Sequence, residues 1–125
     1  MILTRYLYAL DEAILSLQEA ILLTTSFDEC VFWCGEIYYS GHGDVLWEFI
    51  FEFYYNFCAV THPKYERKLN KLKKRDKLKK LKNQGKLKNQ GIEDHMSAIT
   101  LLFHSKKNYD VFTHSVFMII IAESS

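Results

Sequence analysis

Hydrophobic and polar residues recur with a period of seven near the start of the chain. Within MILTRYLYALDEAILSLQEAILL, Glu12-Ala-Ile-Leu15 returns as Glu19-Ala-Ile-Leu22, so the same residue types return to nearly the same face of a helix. Two copies are fewer than a coiled coil requires. The pattern predicts that this N-terminal stretch is a helix whose apolar side packs into a core, with binding of a partner helix as the alternative.

A second helix is predicted from a start signal and a stop signal. Ser26 and Glu29 have the spacing of a capping box, in which each side chain satisfies a backbone N–H group that the helix start leaves free. The helix continues through ECVFWCGEIYY to the Ser-Gly-His-Gly turn at residues 40–43, where glycine can close it. Asp44 is then the expected N-cap of helix three.

Helix three, VLWEFIFEFYYNFCAV, is predicted to be the central helix of the core. Its polar residues stand at intervals of four, which is a helical spacing, and aromatic residues surround them. The polar stripe consists of Glu48, Glu52 and Asn56. The residues expected to be buried are Trp47, Ile50, Phe51, Tyr54 and Phe57. Pro63 ends the helix because proline disfavours helical geometry in the residue before it.

The stretch from Lys68 to Gly91, KLNKLKKRDKLKKLKNQGKLKNQG, is strongly basic. Its five leucines are separated by 3, 6, 3 and 6 residues, which spreads them around a helix instead of forming one apolar side. A membrane-surface helix is therefore disfavoured. The tandem hexamer KLKNQG indicates low-complexity sequence, and its glycines break helices. We expect a frayed helix from residue 64 to about 82, followed by a mobile linker.

The C-terminal part is predicted to contain one clear helix. EDHMSAITLLFH has acidic residues at its start and an apolar face beyond them. For residues 111–122 a helix is preferred to an extended form, although the β-branched residues there favour the latter. The fold class is all-α: a small bundle of about four to five helices arranged as hairpins, with a basic low-complexity linker. The expected segments are 1–66, 67–92 and 93–125.

Composition and charge add a strong asymmetry to this picture. The chain has 125 residues, 49% of them hydrophobic, and a formal net charge of +1. Residues 68–91 contain 11 basic residues and 1 acidic residue, which leaves 5 basic and 14 acidic residues, a net charge of −9, in the remainder. Acidic residues interrupt the apolar N-terminus, and the apolar run at residues 116–122 is too short to cross a bilayer. We expect a soluble, intracellular protein without membrane binding.

Candidate chemistry is sparse. Cys30, Cys34 and Cys58 could form a zinc site with a histidine such as His42, but no Cys-x-x-Cys motif is present and small buried hydrophobic residues are the preferred interpretation. Glu48 and Glu52 lie one turn apart without a Glu-x-x-His companion, which favours a solvated face. Three further histidines are interpreted as surface or capping residues: His95, His104 and His114. No phosphate-binding loop or nucleophile motif occurs. We expect no enzyme, no cofactor and no small-molecule substrate.

One resemblance bears on the origin of the chain. The run FWCGEIYYSGHGDVLWEFIFEFYYNFCAVTHPKYE, after the opening MILTRYLYALDEAILSL, resembles a group of uncharacterised helical proteins encoded by large cytoplasmic DNA viruses. The resemblance covers residues 1–66 and, more faintly, 98–112. The lysine-rich repeat departs from that group and looks inserted, and the apolar end suggests a shortened copy. The resemblance implies a viral origin and the cytoplasm of an infected host cell.

Two functions are consistent with these features. The first is a non-enzymatic helical protein–protein interaction or scaffold module that binds a protein partner. The alternative is a nucleic-acid-binding accessory protein that contacts phosphates without reading sequence. The candidate phosphate-binding residues are Lys71, Lys73, Lys74, Arg75, Lys77, Lys79, Lys80 and Lys82. A third interpretation of the basic run is a solvated linker. A further alternative is a segment that folds back onto an acidic face of the protein itself, where Glu48 and Glu52 are available, or onto an acidic face of a partner.

Overall fold

A computed structural model describes residues 2–24, 26–82 and 91–108. Five α-helices lie in these ranges: α1 (Leu10–Leu23), α2 (Phe27–Tyr39), α3 (Gly43–Phe53), α4 (Tyr65–Lys82) and α5 (Glu93–His104). α3 continues into a single π-helical turn, Tyr54–Cys58. The described ranges contain no β-strand, only one isolated bridge. The prediction of an all-α bundle is confirmed.

The two N-terminal helices pack against each other as a hairpin. Five buried residues of α1 lie on one side of the helix, as the amphipathic pattern predicted: Leu10, Ala13, Leu17, Ala20 and Ile21. Leu22 is buried as well. The predicted N-cap of α2 is confirmed, since the Glu29 backbone N–H donates to Ser26 Oγ at 3.3 Å. The start of the first helix was predicted wrongly. α1 begins at Leu10, and residues 2–9 form a loop in front of it.

α3 and the π-helical turn supply the largest buried side chains. Four of the five residues predicted to be buried are so: Trp47, Ile50, Tyr54 and Phe57. The prediction for Phe51 is wrong, because its ring lies at the edge of the core beneath Lys73 Nζ, 5.4 Å away. Asp44 is also not the N-cap: α3 begins one residue earlier, at Gly43. The polar stripe of Glu48, Glu52 and Asn56 is exposed, as predicted.

The first part of the basic segment lies in α4, which is one continuous helix of 18 residues. Leu69 is fully buried in the core and Leu72 packs against it. Leu78 and Leu81 are 55% and 72% exposed. The described leucines therefore form no common stripe, which agrees with the prediction. Asp76, the acidic residue within the basic run, is buried.

α5 packs against α4, and both helices contribute to the same core as α1, α2 and α3. Its buried apolar residues are Ala98, Ile99 and Leu102. Arg75 and Lys79 of α4 meet acidic residues at the start of α5, whereas Lys68 lies near Leu101 further along it. The two helices consequently run antiparallel. The interpretation of His95 as a surface histidine is wrong, since its side chain is fully buried among α5, α3 and Tyr38.

Three predictions fall outside the described residues. They are the mobile linker at residues 83–90, the helix preferred for residues 111–122, and the position of His114. Among the helices that the structure describes, none is both long enough and apolar enough to cross a bilayer.

Candidate interaction surfaces

The loop at residues 2–9 is held together by backbone hydrogen bonds. Leu10 N donates to Ile2 O at 2.9 Å, and Thr4 N donates to Tyr8 O at 2.7 Å. Glu36 of α2 attaches this loop to the bundle, because its carboxylate accepts hydrogen bonds from Arg5 Nε at 3.0 Å and from the Tyr6 backbone N at 3.1 Å. These bonds satisfy backbone groups that a longer α1 would have used, which explains why the helix starts only at Leu10.

Glu36 is fully buried, yet it is charged at neutral pH. Burial raises the pKa of its carboxyl group, but the hydrogen bonds from Thr4, Arg5 and the Tyr6 backbone outweigh that effect and leave the pKa below its ordinary value. The Arg5 guanidinium supplies the compensating charge at 3.0 Å. A buried, charged carboxylate thus anchors a loop that otherwise lies on the surface.

The anchored loop presents apolar and aromatic side chains to solvent. Tyr6 is 63% exposed and Leu7 is 75% exposed. The Tyr8 ring lies edge-on to the Phe32 ring, with 6.3 Å between centroids, which connects the loop to exposed residues of α2. We call this group the N-terminal surface and define it as Ile2, Leu3, Tyr6, Leu7, Tyr8 and Phe32. Contiguous exposed apolar residues of this kind are typical of binding sites.

Leu7 adopts a backbone conformation that leucine rarely takes. Its φ angle is +67°, in the left-handed region. That conformation costs an L-residue other than glycine roughly 1–2 kcal/mol. Because most of the Leu7 side chain is in water, burial within this chain offsets little of that cost. The loop is therefore held in a strained shape with its most exposed leucine at the tip.

The eight candidate phosphate-binding residues divide into two groups. Arg75, Lys79 and Lys80 form ion pairs within the chain, and Lys73 lies over the Phe51 ring. The other four occupy exposed positions of α4: Lys71, Lys74, Lys77 and Lys82. The basic helix thus folds back onto acidic residues of the protein, as one alternative proposed. The acids are not the expected Glu48 and Glu52, which belong to the exposed stripe of α3.

The acidic partners of α4 lie in and beside the core. Arg75 Nη2 is 2.6 Å from Asp94 Oδ1, and Lys79 Nζ is 3.4 Å from Glu93 Oε2. Asp76 accepts a hydrogen bond from Trp47 Nε1 at 3.1 Å and lies 3.4 Å from Lys80 Nζ. Asp76 Oδ1, Asp94 Oδ2 and His95 Nδ1 have no hydrogen-bond partner among the described residues.

His95 occupies the same buried region. Its ring centroid is 4.3 Å from that of Trp47, and its Nε2 donates to the Gly43 carbonyl oxygen at 3.1 Å. Burial lowers the pKa of His95 below its ordinary value, although Asp76 and the hydrogen bonds act in the opposite direction. A neutral imidazole closed off from solvent packs the α3–α5 junction and has no open face for a substrate.

The three cysteines are dispersed in the core. Cys30, Cys34 and Cys58 are buried and free. Burial raises the pKa of Cys30 to about 11 and that of Cys34 to about 12, so both thiols are protonated at neutral pH. Within the described ranges, no three histidine, cysteine or acidic side chains come together in a way that could hold a metal ion.

Residue-by-residue reasoning missed the N-terminal surface and its anchor, Glu36. One signal was available in the sequence. Tyr6, Leu7 and Tyr8 are three large side chains in a row before the acidic start of α1, and no polar residue separates them. The partner of Glu36 lies 31 positions away in the chain, at Arg5, and no local pattern indicates a pair so distant.

Comparison of the chain with protein-family models, with curated protein sequences and with solved structures gave no match. The resemblance to proteins of large cytoplasmic DNA viruses consequently stays a prediction.

Proposed function

We propose that the protein is a non-enzymatic helical interaction module that binds a protein partner through the N-terminal surface. The observation that supports this most directly is Leu7, whose side chain is held in solvent by a strained backbone. Strain of this kind persists where the surrounding structure imposes it, and it concentrates at functional sites. A partner that buries Tyr6 and Leu7 would turn the exposed loop into the centre of an interface.

The anchor supports the same proposal. Glu36 is fully buried, and the backbone amide of Tyr6 and the side chain of Arg5 both bind it. A carboxylate and its hydrogen bonds are expensive to bury, and here they fix the shape of the loop that carries Tyr6 and Leu7. A loop that is already fixed loses little conformational freedom on binding, which favours affinity. If the viral resemblance holds, the partner is a protein of the infected cell or of the virus.

The substitution Leu7→Gly tests the proposal, because it removes the exposed side chain and also relieves the strain. Relief of the backbone strain stabilises the folded state by about 1–2 kcal/mol. The greater freedom of glycine in the unfolded chain destabilises it by about 0.4–1 kcal/mol, and loss of the partly buried side chain by about 0.5 kcal/mol. The folded state should therefore change in stability by no more than about 1 kcal/mol. Binding should weaken at least about tenfold, as expected for a residue at the centre of an interface.

Partner identification uses photo-crosslinking. A photoreactive residue at position 6 should crosslink to a protein that the same residue at position 60 does not reach; Val60 is 76% exposed and lies outside the N-terminal surface. The purified partner is then titrated with the wild type, Leu7→Gly, and Val60→Ala as the matched control. Equal binding by Leu7→Gly and the wild type, or the same crosslinks from positions 6 and 60, would argue against the N-terminal surface as the site.

A second candidate function, sequence-independent nucleic-acid binding, is supported by the exposed side of α4. Arg67, Lys71, Lys74 and Lys82 are exposed and separated by 4, 3 and 8 residues, which places them along one ridge of the helix. Four phosphate contacts predict a slope of log affinity against log salt near −3.6 on duplex, about half of what all eight candidates would produce. The double variant Lys71→Gln with Lys74→Gln should halve that slope, whereas Lys64→Gln with Lys106→Gln should not. Equal slopes for both variants would exclude this ridge.

A further inference from the structure

An open groove lies between the antiparallel helices α4 and α5. Its volume is about 530 Å³, and it is lined by Lys68, Lys71, Leu72, Arg75, Ser97 and Leu101. The cations stand along one edge at intervals of 3 and 4 residues, which places them in one line on α4. The leucines form the apolar floor. Arg75 uses Nε and Nη2 on Asp94 Oδ1, so its other guanidinium nitrogen remains available to a ligand.

The outer side of α1 has the complementary pattern. Glu12 is exposed, Leu15 is 39% exposed and Glu19 is half-buried. These residues are also separated by 3 and 4 positions, so two acids flank one leucine along a single line of the helix. The sequence repeat places Leu15 and Leu22 in equivalent positions, yet Leu22 is buried at 3% exposure and Leu15 is not. Leu15, unlike Leu22, is therefore not one of the core residues.

We propose that the outer side of α1 from one copy of this protein docks into the α4–α5 groove of another copy. Glu12 and Glu19 are seven residues apart, as are Lys68 and Arg75, which corresponds to about 10.5 Å along each helix. Both ion pairs can form at once, and Leu15 then lies over Leu72 and Leu101. Within one copy α1 packs on α2 and does not line the groove, so the contact forms between copies.

The contact joins two different surfaces, the outer side of α1 and the groove, and this limits the ways in which copies can associate. Each copy carries one α1 side and one groove, so two copies either exchange them reciprocally or form a longer chain of copies. A net charge of +1 leaves little overall repulsion between copies. A single helix in a groove makes a small interface, so we expect weak association, with dissociation constants of about 10 µM to 1 mM. Salt should raise these constants, because it screens the ion pairs.

Two variants separate the surfaces. The groove variant is Lys68→Glu with Lys71→Glu, and its matched control is Lys74→Glu with Lys77→Glu, an identical charge change on the same helix outside the groove. The α1 variant is Glu12→Lys with Leu15→Gln. Its control is Glu48→Lys with Val31→Gln, since Val31 has the same 39% exposure as Leu15. If the groove variant fails to fold, as judged by circular dichroism, Lys68→Gln with Lys71→Gln replaces it.

Sedimentation velocity of the full chain between about 10 µM and 1 mM measures association. The wild type and both controls should associate, whereas the groove variant and the α1 variant should each remain monomeric. An equimolar mixture of the two variants should associate, because the groove variant supplies an intact α1 and the α1 variant supplies an intact groove.

Three results would overturn the proposal. The first is a wild type that stays monomeric at 1 mM. The second is a mixture of the two variants that stays monomeric, and the third is equal loss of association in the matched controls. If the wild type stays monomeric and a duplex oligonucleotide binds it but not the groove variant, the groove is a phosphate-binding site instead of a docking site for a second copy.

Discussion

Asp76→Ala is the substitution with the clearest expected effect on stability. Asp76 is the acidic residue of the basic run, 1% exposed, and it accepts a hydrogen bond from Trp47 Nε1 at 3.1 Å. Alanine removes the acceptor and leaves the indole N–H group buried without a partner. It also removes the charge that faces Lys80 at 3.4 Å. The substitution therefore weakens the attachment of α4 to the centre of the core.

The magnitude follows from three contributions. Loss of a hydrogen bond to a charged acceptor costs about 1.5–3 kcal/mol, and an unpartnered buried N–H group costs about 1–3 kcal/mol. Removal of Asp76 Oδ1, which has no hydrogen-bond partner among the described residues, stabilises the variant by about 1–3 kcal/mol. At mid-range values the net loss in the free energy of unfolding is about 2 kcal/mol. For a chain of this length that lowers Tm by about 10 °C.

Urea and thermal unfolding, followed by circular dichroism, measure this change. Asp76→Asn keeps an acceptor for Trp47 without the charge, so it should lose about 1 kcal/mol less than Asp76→Ala. Glu52→Ala removes an exposed acid from α3 and should stay within about 0.5 kcal/mol of the wild type. The reasoning would be refuted if Asp76→Ala were as stable as Glu52→Ala. Equal losses for the alanine and asparagine variants would assign the effect to the charge and not to the Trp47 hydrogen bond.

Three further predictions concern His95, the three cysteines and Gly91. Because the pKa of His95 is lowered in the folded state, the unfolded chain binds more protons than the folded chain near pH 6. The contribution of His95 to stability should therefore be complete above the ordinary pKa of 6.5 and fall as pH drops below it. His95→Gln should flatten this part of the pH profile of stability, measured by urea unfolding. The three buried thiols should react with a thiol reagent only after denaturation, since burial also raises their pKa; rapid reaction of the native protein would contradict their placement. Gly91→Ala should destabilise the fold by about 1–3 kcal/mol, because the added Cβ would overlap Tyr38 Oη, whereas Gly41→Asn, at φ +88°, should cost less. Equal thermal midpoints for the wild type and Gly91→Ala would show that Tyr38 moves aside.

The helices themselves could be predicted from local patterns. Ser26 and Glu29 marked the start of α2, and the four-residue spacing of Glu48, Glu52 and Asn56 distinguished α3 from a strand. These signals depend on neighbours within one or two turns of the same helix. The exposed stripe of α3 and the absence of a leucine stripe on α4 followed from the same periodicity.

Long-range partners decided the features that local patterns could not indicate. Gly91 completes a low-complexity hexamer in the sequence, but in the structure it lies where a Cβ would overlap the Tyr38 hydroxyl group. His95 carries no local sign of burial, and its environment includes Gly43 and Trp47 of α3 and Tyr38 of α2. The N-terminal loop replaced the first turns of a helix because Glu36, 30 residues away, binds the Tyr6 amide.

The sequence by itself determined that the chain is helical, where α2 and α3 lie, and that its charge is divided between a basic run and an acidic remainder. Helical periodicity and capping are properties of residues three or four positions apart, so they can be read along the chain. Only the tertiary structure decided which charges are paired and which apolar residues stay exposed. Lys74 and Arg75 are adjacent in sequence and both exposed, yet Arg75 binds Asp94 and Lys74 has no acidic partner among the described residues. A turn of 100° per residue directs them to different sides of α4, and packing against α5 brings only one of those sides to the acidic start of α5.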